Sequence, residues 1–292
     1  MNFDLEYNTT PKGTNLIDGA KAREDLIAYI QSQYDLRNCY IQLHLIDPYY
    51  QTARTDASIV SINQKDMLVT RIGAKVERYH HSSNTPVNDI EQIILDGNSR
   101  HNVFGIIVQM PIDPQFSHIP DIIAPSKDLD SLNSSNTIWT SGATAEAAIR
   151  ILIAKRNQLP NIAIVGAAGF IARDIIHGLQ VNNLGDGNPV FIDITDPIDL
   201  VRSSQTIISA VGKPGLIRGT HLSHMPFLGI DIGNTRIQGA FQGDFHFPSV
   251  DGNVEYLTPV PGGMGPLEMV MLAERIVRRA ADPNFFIIFN IQ

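Results

Sequence analysis

The sequence is poor in cysteine, in basic residues and in long apolar runs. Its 292 residues include a single cysteine, Cys39, so no disulfide bond can form within the chain. No apolar run approaches the roughly 18 residues that a membrane-spanning helix needs. Acidic residues outnumber basic ones by 30 to 22, a net charge of −8, which argues against nucleic acid or an anionic membrane as a partner.

The N-terminus shows no secretory signal, because no basic segment followed by an apolar one is present there. We therefore expect a cytoplasmic protein. Cys39 has no neighbouring pattern of metal ligands, so we interpret it as a small buried apolar residue and predict no metal site.

Helical and strand patterns alternate along the chain, which predicts an α/β protein with parallel sheets joined by crossover helices. In the first half the apolar spacing predicts helices over 20–33, 57–71 and 88–96 and strands over 40–46, 75–79 and 103–109. From about Thr144 a second pattern begins with a helix over 145–155 and four strands that end at loops, mostly glycine-bearing, over 161–165, 189–193, 206–210 and 227–232. This second pattern is typical of a doubly wound nucleotide-binding domain. The apolar tail, 285–291, is expected to dock as a strand or in an interface.

A loop rich in proline and glycine, TPVPGGMGPL at 258–267, precedes the last helical pattern. Pro266 predicts the start of a helix, because proline is tolerated in a helix's first turn. A loop of this kind can hold a flat or anionic ligand, and it can equally be a tight connection between domains.

A glycine turn, GAAGFIA at 166–172, follows the first strand of the second pattern. Such a turn can bring main-chain amides to a pyrophosphate, or it can simply join a strand to a helix; the residues leave both interpretations open. Asp193 ends the next strand, where an acid would hold a ribose hydroxyl. No basic residue directly follows Gly166, which favours NAD over NADP.

Three polar residues of the first half are candidates for chemistry. Gln109 ends a buried strand, where ligands of open α/β sheets bind, and Asp130 could accept a hydrogen bond from a ring amide. Lys65 lies one turn beyond Ser61 on a predicted helix and could act as an acid or base. Taken singly, each also fits a structural role: a strand-end cap, a solvated loop and a surface lysine.

These pieces in this order resemble the methylenetetrahydrofolate dehydrogenase/cyclohydrolase family, from about residue 15 to 281. TPVPGGMGP at 258–266 is the most specific match. The others are moderately specific singly: Ile17–Gly19, Ala57–Lys65 with Gly73, Val108–Pro111, Lys127–Asp130, Val165–Gly166, Ala210–Pro214, Ile230–Gly233 and Gly243–Asp244.

The resemblance implies an N-terminal catalytic domain, residues 1–143, a Rossmann-type NAD(P)-binding domain, 144–257, and a loop and helix, 258–292, that return to the first domain. It implies oxidation of 5,10-methylenetetrahydrofolate with NAD or NADP and hydrolysis of the methenyl product to 10-formyltetrahydrofolate.

The resemblance also implies roles for individual residues. Lys65, Gln109 and Asp130 match the family's catalytic lysine, its partner glutamine and its pterin-binding aspartate. The proline-glycine loop would line the folate, with Pro261, Gly262, Gly263 and Gly265 as substrate-binding residues. The expected cofactor-binding residues are Gly166, Ala167, Ala168, Gly169, Phe170, Asp193, Ala210, Val211, Gly212, Asp231 and Gly233.

The chain departs from the family's pattern at several positions. Ser61 stands where the family has a tyrosine that packs on the folate, and Tyr49 or Tyr50 is the expected substitute ring in a substrate site that includes Ser61. Ala167 and Ala168 replace an arginine-serine pair on the nucleotide side.

Three hypotheses follow. The main one is the family's enzyme, a homodimer whose partner is a small folate and which binds neither nucleic acid nor membrane. The alternatives are a homologue that binds folate or nucleotide without catalysis, and a related enzyme acting on a modified folate.

Overall fold

The computed structural model describes residues 1–47, 53–156, 159, 161–185, 188–222 and 227–291, and of residues 53–56 the main chain alone. Tyr49 and Tyr50, the predicted substitute rings, lie outside the described residues. The contacts divide the chain into two compact units. We call them the seven-stranded unit (Met1–Glu24, Thr144–Val270 and Ile287–Gln292) and the three-stranded unit (Asp25–Ala143 and Met271–Phe286).

The described part of the chain contains fourteen β-strands. In chain order they are β1 (Asn2–Asp4), β2 (Tyr7–Thr9), β3 (Asn15–Ile17), β4 (Tyr40–Ile46), β5 (Lys75–His81), β6 (Val103–Val108), β7 (Ile162–Val165), β8 (Val190–Ile192), β9 (Thr206–Ser209), β10 (Leu228–Asp231), β11 (Thr235–Ile237), β12 (Ala240–Gln242), β13 (Tyr256–Leu257) and β14 (Ile288–Asn290).

Eight α-helices accompany these strands in the same described residues. They are α1 (Gly19–Gln33), α2 (Ala53–Arg71), α3 (Val87–Ser99), α4 (Ile119–Ile122), α5 (Ala143–Ala154), α6 (Phe170–Asn182), α7 (Phe247–Val250) and α8 (Met264–Ala280). None of the helices described here is long and apolar enough to cross a membrane.

The sheet that names the seven-stranded unit has the order β2-β3-β13-β10-β9-β7-β8, and all neighbours are parallel except β2 and β3. Its central strands β7, β9 and β10 are buried along their whole length, which explains why their apolar residues do not alternate with exposed polar ones. Chain order reverses at β7, between β8 and β9. In open α/β sheets such a reversal opens a ligand crevice at the carboxyl ends of the strands.

The N-terminal end of the chain adds three strands that apolar spacing did not predict. β2 and β3 extend the seven-stranded sheet through the pairing of β3 with β13. β1 pairs in parallel with β14, so the apolar tail forms a strand, one of the two outcomes expected for it.

The three-stranded unit is built on the parallel sheet β5-β4-β6. β4 is the central strand and is buried beyond Tyr40, while β5 forms an exposed edge. A core that includes Ile46, Ile90, Ile106 and Phe116 joins β4, α3 and β6 to the segment that follows. The sheet therefore presents the ends of β4 and β6 side by side, where Gln109 donates its main-chain N–H to the carbonyl of His44.

Several helix ends differ from the sequence prediction; α2, for example, begins at Ala53 rather than at residue 57. Gly97, expected to stop a helix after Asp96, lies inside α3; an added Cβ would lie only 2.2 Å from Gln42 Oε1, so this glycine permits a close approach. The last helix begins at Met264, two residues before the predicted start at Pro266, because proline is tolerated anywhere in the first turn. The predicted stop of α2 is confirmed: the helix ends at Arg71 and Gly73 has a φ of +89°.

A buried pair of histidines joins β4 to β5. His44 is fully buried, and its Nδ1 lies 3.1 Å from Nε2 of His81. The His44 ring also stacks on Tyr79, with 4.8 Å between ring centroids. Burial, reinforced by the neighbouring His81, lowers the pKa of His44 to about 3. The folded protein therefore holds this ring neutral.

We predict that acid destabilises the fold through His44. Its pKa is lowered on folding from 6.5 to about 3, so its contribution to stability is present above pH 6.5 and is lost as pH falls towards 3. His44→Phe keeps an aromatic ring but cannot bind a proton, so its free energy of unfolding should vary less than that of the wild type between pH 7 and pH 4.5 in urea titrations. His80→Gln is the control, because this side chain is 56% exposed. Equal pH dependence in wild type and His44→Phe would contradict the assignment.

Candidate active site

The three polar candidates of the first half come together in the three-stranded unit. α2 carries Lys65, the end of β6 carries Gln109, and Asp130 follows a segment that pairs with β6 through a bridge between Ile106 and Asp128. Lys65 Nζ donates to Gln109 Oε1 at 2.9 Å and to Asp130 Oδ2 at 3.4 Å. Residues separated by up to 65 positions thus meet at one ammonium group.

The ammonium of Lys65 is almost completely withdrawn from water. The Lys65 side chain is 3% exposed, while that of Asp130 is 17% exposed. Burial penalises the charged form of an amine, and a carboxylate within about 4 Å favours it. The amine of Lys65 is thus buried beside a carboxylate, with 3.4 Å between its Nζ and Asp130 Oδ2.

Both partners of Lys65 are themselves fixed by the main chain. Gln109 donates from Nε2 to the carbonyl of Met110 at 2.7 Å, which leaves its Oε1 oriented towards the lysine. Asp130 accepts the N–H of Ala143 on Oδ1 at 3.1 Å, so its Oδ2 faces Lys65. The cluster is therefore organised before any substrate arrives.

Ser61, one turn before Lys65 on α2, is half-buried. Ser58 on the same helix is buried, and its hydroxyl lies within 3.3 Å of the carbonyl of Met110, the residue after Gln109. Ser58 was not singled out in the sequence, because a lone serine in a helix carries no chemical pattern.

The proline-glycine loop belongs to the seven-stranded unit, as does Gly19 of the motif Ile17–Gly19. Ala20 donates its main-chain N–H to the carbonyl of Gly262 at 3.1 Å. An added Cβ on Gly19 would lie 2.2 Å from the carbonyl oxygen of Gly263, so only glycine fits there. Gly262 has a φ of +108°, and the Val260–Pro261 peptide bond is cis. Gly265 lies in the first turn of α8.

The glycine turn after β7 has the expected strand–turn–helix form. Gly166 has a φ of +84°, and α6 begins at Phe170 with Gly169 as its N-cap. Ala168, Gly169 and Phe170 are exposed, and Ala167 is half-buried. The turn lies at the reversal of strand order, the position that binds dinucleotides in doubly wound folds.

Asp193 follows β8 directly. It is half-buried, its Oδ1 accepts the N–H of Ile194, and its own N–H donates to Asp196 Oδ2. Two carboxylates therefore stand at the end of this strand.

The second glycine loop, Ala210–Pro214, is held by Asp244, which is fully buried. Its carboxylate accepts the Ser209 hydroxyl at 2.7 Å and the main-chain N–H groups of Val211 and Lys213 at 2.9 and 2.6 Å, with that of Gly212 at 3.3 Å. The amides of Val211 and Gly212, which we predicted to contact a cofactor, thus have a partner inside the protein.

Asp231 is also turned inwards, with 3% of its surface exposed. Its carboxylate accepts the N–H groups of Asp244 and Phe245, and its own N–H donates to the hydroxyl of Thr258 at 2.7 Å. Burial raises the pKa of Asp231 to about 7, against the lowering effect of these hydrogen bonds. Asp231 therefore links the start of the proline-glycine loop to the residues that hold the second glycine loop.

Two glycines make room for these carboxylates. An added Cβ on Gly233 would lie 2.2 Å from the carboxylate of Asp244, and one on Gly243 would lie 2.1 Å from Asp231 Oδ2. Gly233, predicted to contact a cofactor, is thus required at least for packing.

The described residues contain no group of three or more His, Cys, Asp or Glu side chains placed to hold a metal ion. Cys39 is buried, as predicted, and burial raises the pKa of its thiol to about 12.

Two family models match most of the chain. The catalytic domain of tetrahydrofolate dehydrogenase/cyclohydrolase matches residues 17–130, and the NAD(P)-binding domain of the same family matches residues 142–283. The first match contains Lys65, Gln109 and Asp130. The second contains both glycine loops and the proline-glycine loop.

Individual relatives cover nearly the whole chain. Bifunctional protein FolD of Fusobacterium nucleatum is 27% identical over 279 residues, which are 90% of this chain and 96% of that protein. The crystal structure of the bifunctional FolD dehydrogenase/cyclohydrolase of Campylobacter jejuni is 26% identical, with a TM-score of 0.74 over 91% of this chain and 96% of that one. A methylenetetrahydrofolate dehydrogenase from the silkworm, Bombyx mori, shares the fold at 21% identity, with a TM-score of 0.76 over 92% and 99% of the two chains.

We predict that Asp244→Asn destabilises the protein by at least about 3 kcal/mol. The amide can accept fewer of the four hydrogen bonds, and its NH₂ group would face a buried donor; bonds to charged groups contribute about 1.5–3 kcal/mol each. The free energy of unfolding in urea measures the loss. Asp199→Asn is the control, because Asp199 is exposed and should change stability by less than about 0.5 kcal/mol. A similar small effect at both positions would refute the role of Asp244.

Proposed function

The chain belongs to the tetrahydrofolate dehydrogenase/cyclohydrolase family, and we propose that its chemistry is carried out by the cluster of Lys65, Gln109 and Asp130. It is an enzyme of one-carbon folate metabolism. It oxidises 5,10-methylenetetrahydrofolate to the 5,10-methenyl compound with NAD(P) and hydrolyses that product to 10-formyltetrahydrofolate.

One observation supports the proposal above the others: Lys65 is 3% exposed and contacts both Gln109 Oε1 and Asp130 Oδ2. A lysine that only solubilised the helix would extend into water. Burying this ammonium costs free energy unless hydrogen-bond and charge partners are provided. The arrangement therefore supports a functional role for Lys65 rather than a solubilising one.

The hydrolysis requires three proton movements and releases one proton in all. Water adds to the one-carbon unit of the methenyl cation and loses a proton, which leaves a neutral hydroxyl adduct. The bond from that carbon to N5 then breaks while N5 takes up a proton and the hydroxyl group loses its proton to solvent, so the formyl group stays on N10. The amine of Lys65 is placed to accept the first proton and, as the ammonium, to return it. Gln109 holds the lysine by accepting its N–H, and Asp130 balances the ammonium charge between the two transfers.

The dehydrogenase reaction needs an electron acceptor, and NAD(P), when bound, takes the hydride. The residues present fit such a group: Gly166 supplies the positive φ of a phosphate turn, α6 begins directly after it, and the turn lies at the reversal of strand order. Asp244 keeps the second glycine loop in one conformation. The turn at 166–172 thus holds the pyrophosphate, and Asp244 fixes the conformation of the second glycine loop, Ala210–Pro214.

NAD is the cofactor that this site fits better. Asp193 and Asp196 stand together after β8, where a dinucleotide places its adenine ribose. A 2′-phosphate would bring up to two negative charges next to these carboxylates. Ala167 and Ala168 offer no positive charge to compensate for them.

No observation favours a homologue without catalysis, because Lys65 keeps its contacts with both Gln109 and Asp130. An enzyme for a modified folate stays a hypothesis, motivated by Ser61. A homodimer and a cytoplasmic location also stay predictions; light scattering of the purified protein tests the first and microscopy of a tagged chain the second.

The experiment that tests the function gives purified protein 5,10-methylenetetrahydrofolate with NAD or NADP, and follows formation of the methenyl compound by absorbance. Turnover is expected. No turnover with either cofactor would refute the dehydrogenase activity.

Lys65→Met should lower kcat/KM of methenyl hydrolysis by roughly 10²–10⁴-fold, the range expected when a general acid or base is removed. Lys75→Met is the matched control, since Lys75 is an exposed lysine of the same unit and contacts the ring of Tyr40. If Lys65→Met hydrolyses the methenyl compound as fast as Lys75→Met, Lys65 has no part in the reaction.

The wild type should use NAD with a higher kcat/KM than NADP. The double variant Ala167→Arg with Asp193→Ser should shift the preference towards NADP, because it adds a positive charge and removes a negative one beside the predicted ribose site. Steady-state kinetics with both cofactors measure the ratio. Asp199→Ser, which also removes a carboxylate but from a pair with Arg202, should leave the ratio unchanged. A wild type that prefers NADP would overturn this assignment.

A further inference from the structure

We infer that Arg275 is a positioning residue that sets the carboxylate of Asp130 against Lys65; the inference rests on the proposed function of that cluster. Arg275 lies on α8 and is 2% exposed. Arginine is seldom buried to this degree without a set of partners. Two of the partners of Arg275 are main-chain carbonyls of the segment that carries Asp130.

The guanidinium of Arg275 bridges the two ends of the loop 130–140. Nη1 donates to the carbonyl of Leu129 at 2.7 Å, and Nη2 donates to the carbonyl of Ser141 at 2.8 Å. Because the guanidinium is planar and rigid, it fixes the distance between the two carbonyls. The loop between them, 130–140, therefore has both ends tied to one side chain.

Asp130 is the first residue of that loop. Leu129, whose carbonyl Arg275 binds, is joined to it by a peptide bond. At the other end of the loop, Ala143 donates its N–H to Asp130 Oδ1, and Ser141 lies two residues before it. The contact of Asp130 Oδ1 with Ala143 thus depends on the two ends staying together, and that contact turns Oδ2 towards Lys65. A change in their spacing would move Oδ2 away from Lys65 Nζ.

Trp139 holds the guanidinium from the side of the loop. The centre of the Arg275 guanidinium lies 5.1 Å from the indole centroid, and that of Arg278 lies 4.8 Å away. The carbonyl of Trp139 accepts the hydroxyl of Ser131, which has a φ of +55° directly after Asp130. The loop is therefore folded over the arginine that ties its ends, which favours a single conformation for Asp130.

Arg278 provides the matched control. It lies one turn further along α8, contacts the same indole and pairs with Glu274 at 3.7 Å, but its side chain is 30% exposed. Among the described contacts it makes none with Leu129 or Ser141. If only positive charge or packing on Trp139 mattered, substitution of either arginine would have an effect. Of the two arginines, only Arg275 is expected to position Asp130.

The experiment compares Arg275→Met, Arg275→Lys and Arg278→Met. Arg275→Met should lower kcat of methenyl hydrolysis on the order of 10- to 100-fold, since a misplacement of about 1 Å can have such an effect. KM for NAD(P) in the dehydrogenase reaction should stay unchanged. Arg275→Lys keeps the charge but not the planar fork, so its kcat should lie between those of Arg275→Met and the wild type. Arg278→Met should keep the wild-type kcat.

A double-mutant cycle separates positioning from general loss of structure. If Arg275 acts through Asp130, Arg275→Met should lower kcat little further in an Asp130→Asn background, whereas independent effects would multiply. Multiplied losses, or an equal loss in Arg278→Met, would overturn the inference. So would a rise in KM for NAD(P), which signals a wider disturbance.

Hydrogen exchange tests the same inference without catalysis. Amides of the segment 128–143 should exchange faster in Arg275→Met than in Arg278→Met or the wild type, while those of β4 and β6 keep their protection. If the wild type does not turn over folate, the proposed function fails but this comparison still decides whether Arg275 orders the loop. If the wild type is active and exchange in the segment is unchanged, the inference about Arg275 fails alone.

Discussion

A buried ammonium is the constraint on which the three-stranded unit depends. Lys65 is withdrawn from water, and a charged amine in that position is stable only next to a carboxylate and further acceptors. Asp130 and Gln109 meet this need, and both must be held still because an ammonium with a misplaced partner would lose its stabilisation. The parallel sheet fixes Gln109 at the end of β6, while the loop after Asp130 is fixed by contacts to the main chain.

The seven-stranded unit solves a similar problem with other means. Asp244 is fully buried, and in the described part of the chain its carboxylate bonds to main-chain N–H groups and a serine hydroxyl rather than to a lysine or arginine. Hydrogen bonds from several amides stabilise a carboxylate as a counter-charge would. The consequence differs as well: the role that we propose for Lys65 is to exchange a proton, whereas the carboxylate of Asp244 holds a loop in one conformation. In the three-stranded unit the buried charged group is thus a proposed reactive side chain, whereas in the seven-stranded unit it fixes the conformation of the main chain.

The sequence was informative where a physical requirement leaves a pattern in adjacent residues. β4 was predicted to the residue from the alternation of apolar and polar residues. β6 was predicted to within one residue because a strand buried on both faces is a continuous apolar run. Gly97 misled the prediction of a helix end, since its role is to let Gln42 approach, and spacing alone cannot separate that role from a stop. β1, β2, β3 and β13 are two or three residues long and were missed, because they are specified by partners far along the chain.

The site was predictable as a set of residues but not as a network. Each of Lys65, Gln109 and Asp130 fits an ordinary structural role alone, and only the resemblance joined them before the structure showed their contacts. Asp244 and Arg275 act on main-chain amides and carbonyls, and such partners have no residue type that a sequence motif could reveal.

The departures from the family's pattern are at Ser61, Ala167 and Ala168, positions whose functions other residues can supply. A ring that packs on a substrate contributes a flat apolar surface, which can be supplied from another loop. A cation beside a nucleotide contributes charge, whose loss changes the choice of cofactor rather than the reaction. A proton carrier has to be one atom with the correct affinity for a proton, held at one place. Lys65, the proton carrier that we propose, and the groups that fix it can therefore not be replaced by residues elsewhere. Ser61, Ala167 and Ala168 replace family residues, while Lys65, Gln109 and Asp130 are unaltered. This is the pattern expected if the binding of substrate or cofactor has changed and the reaction has been retained.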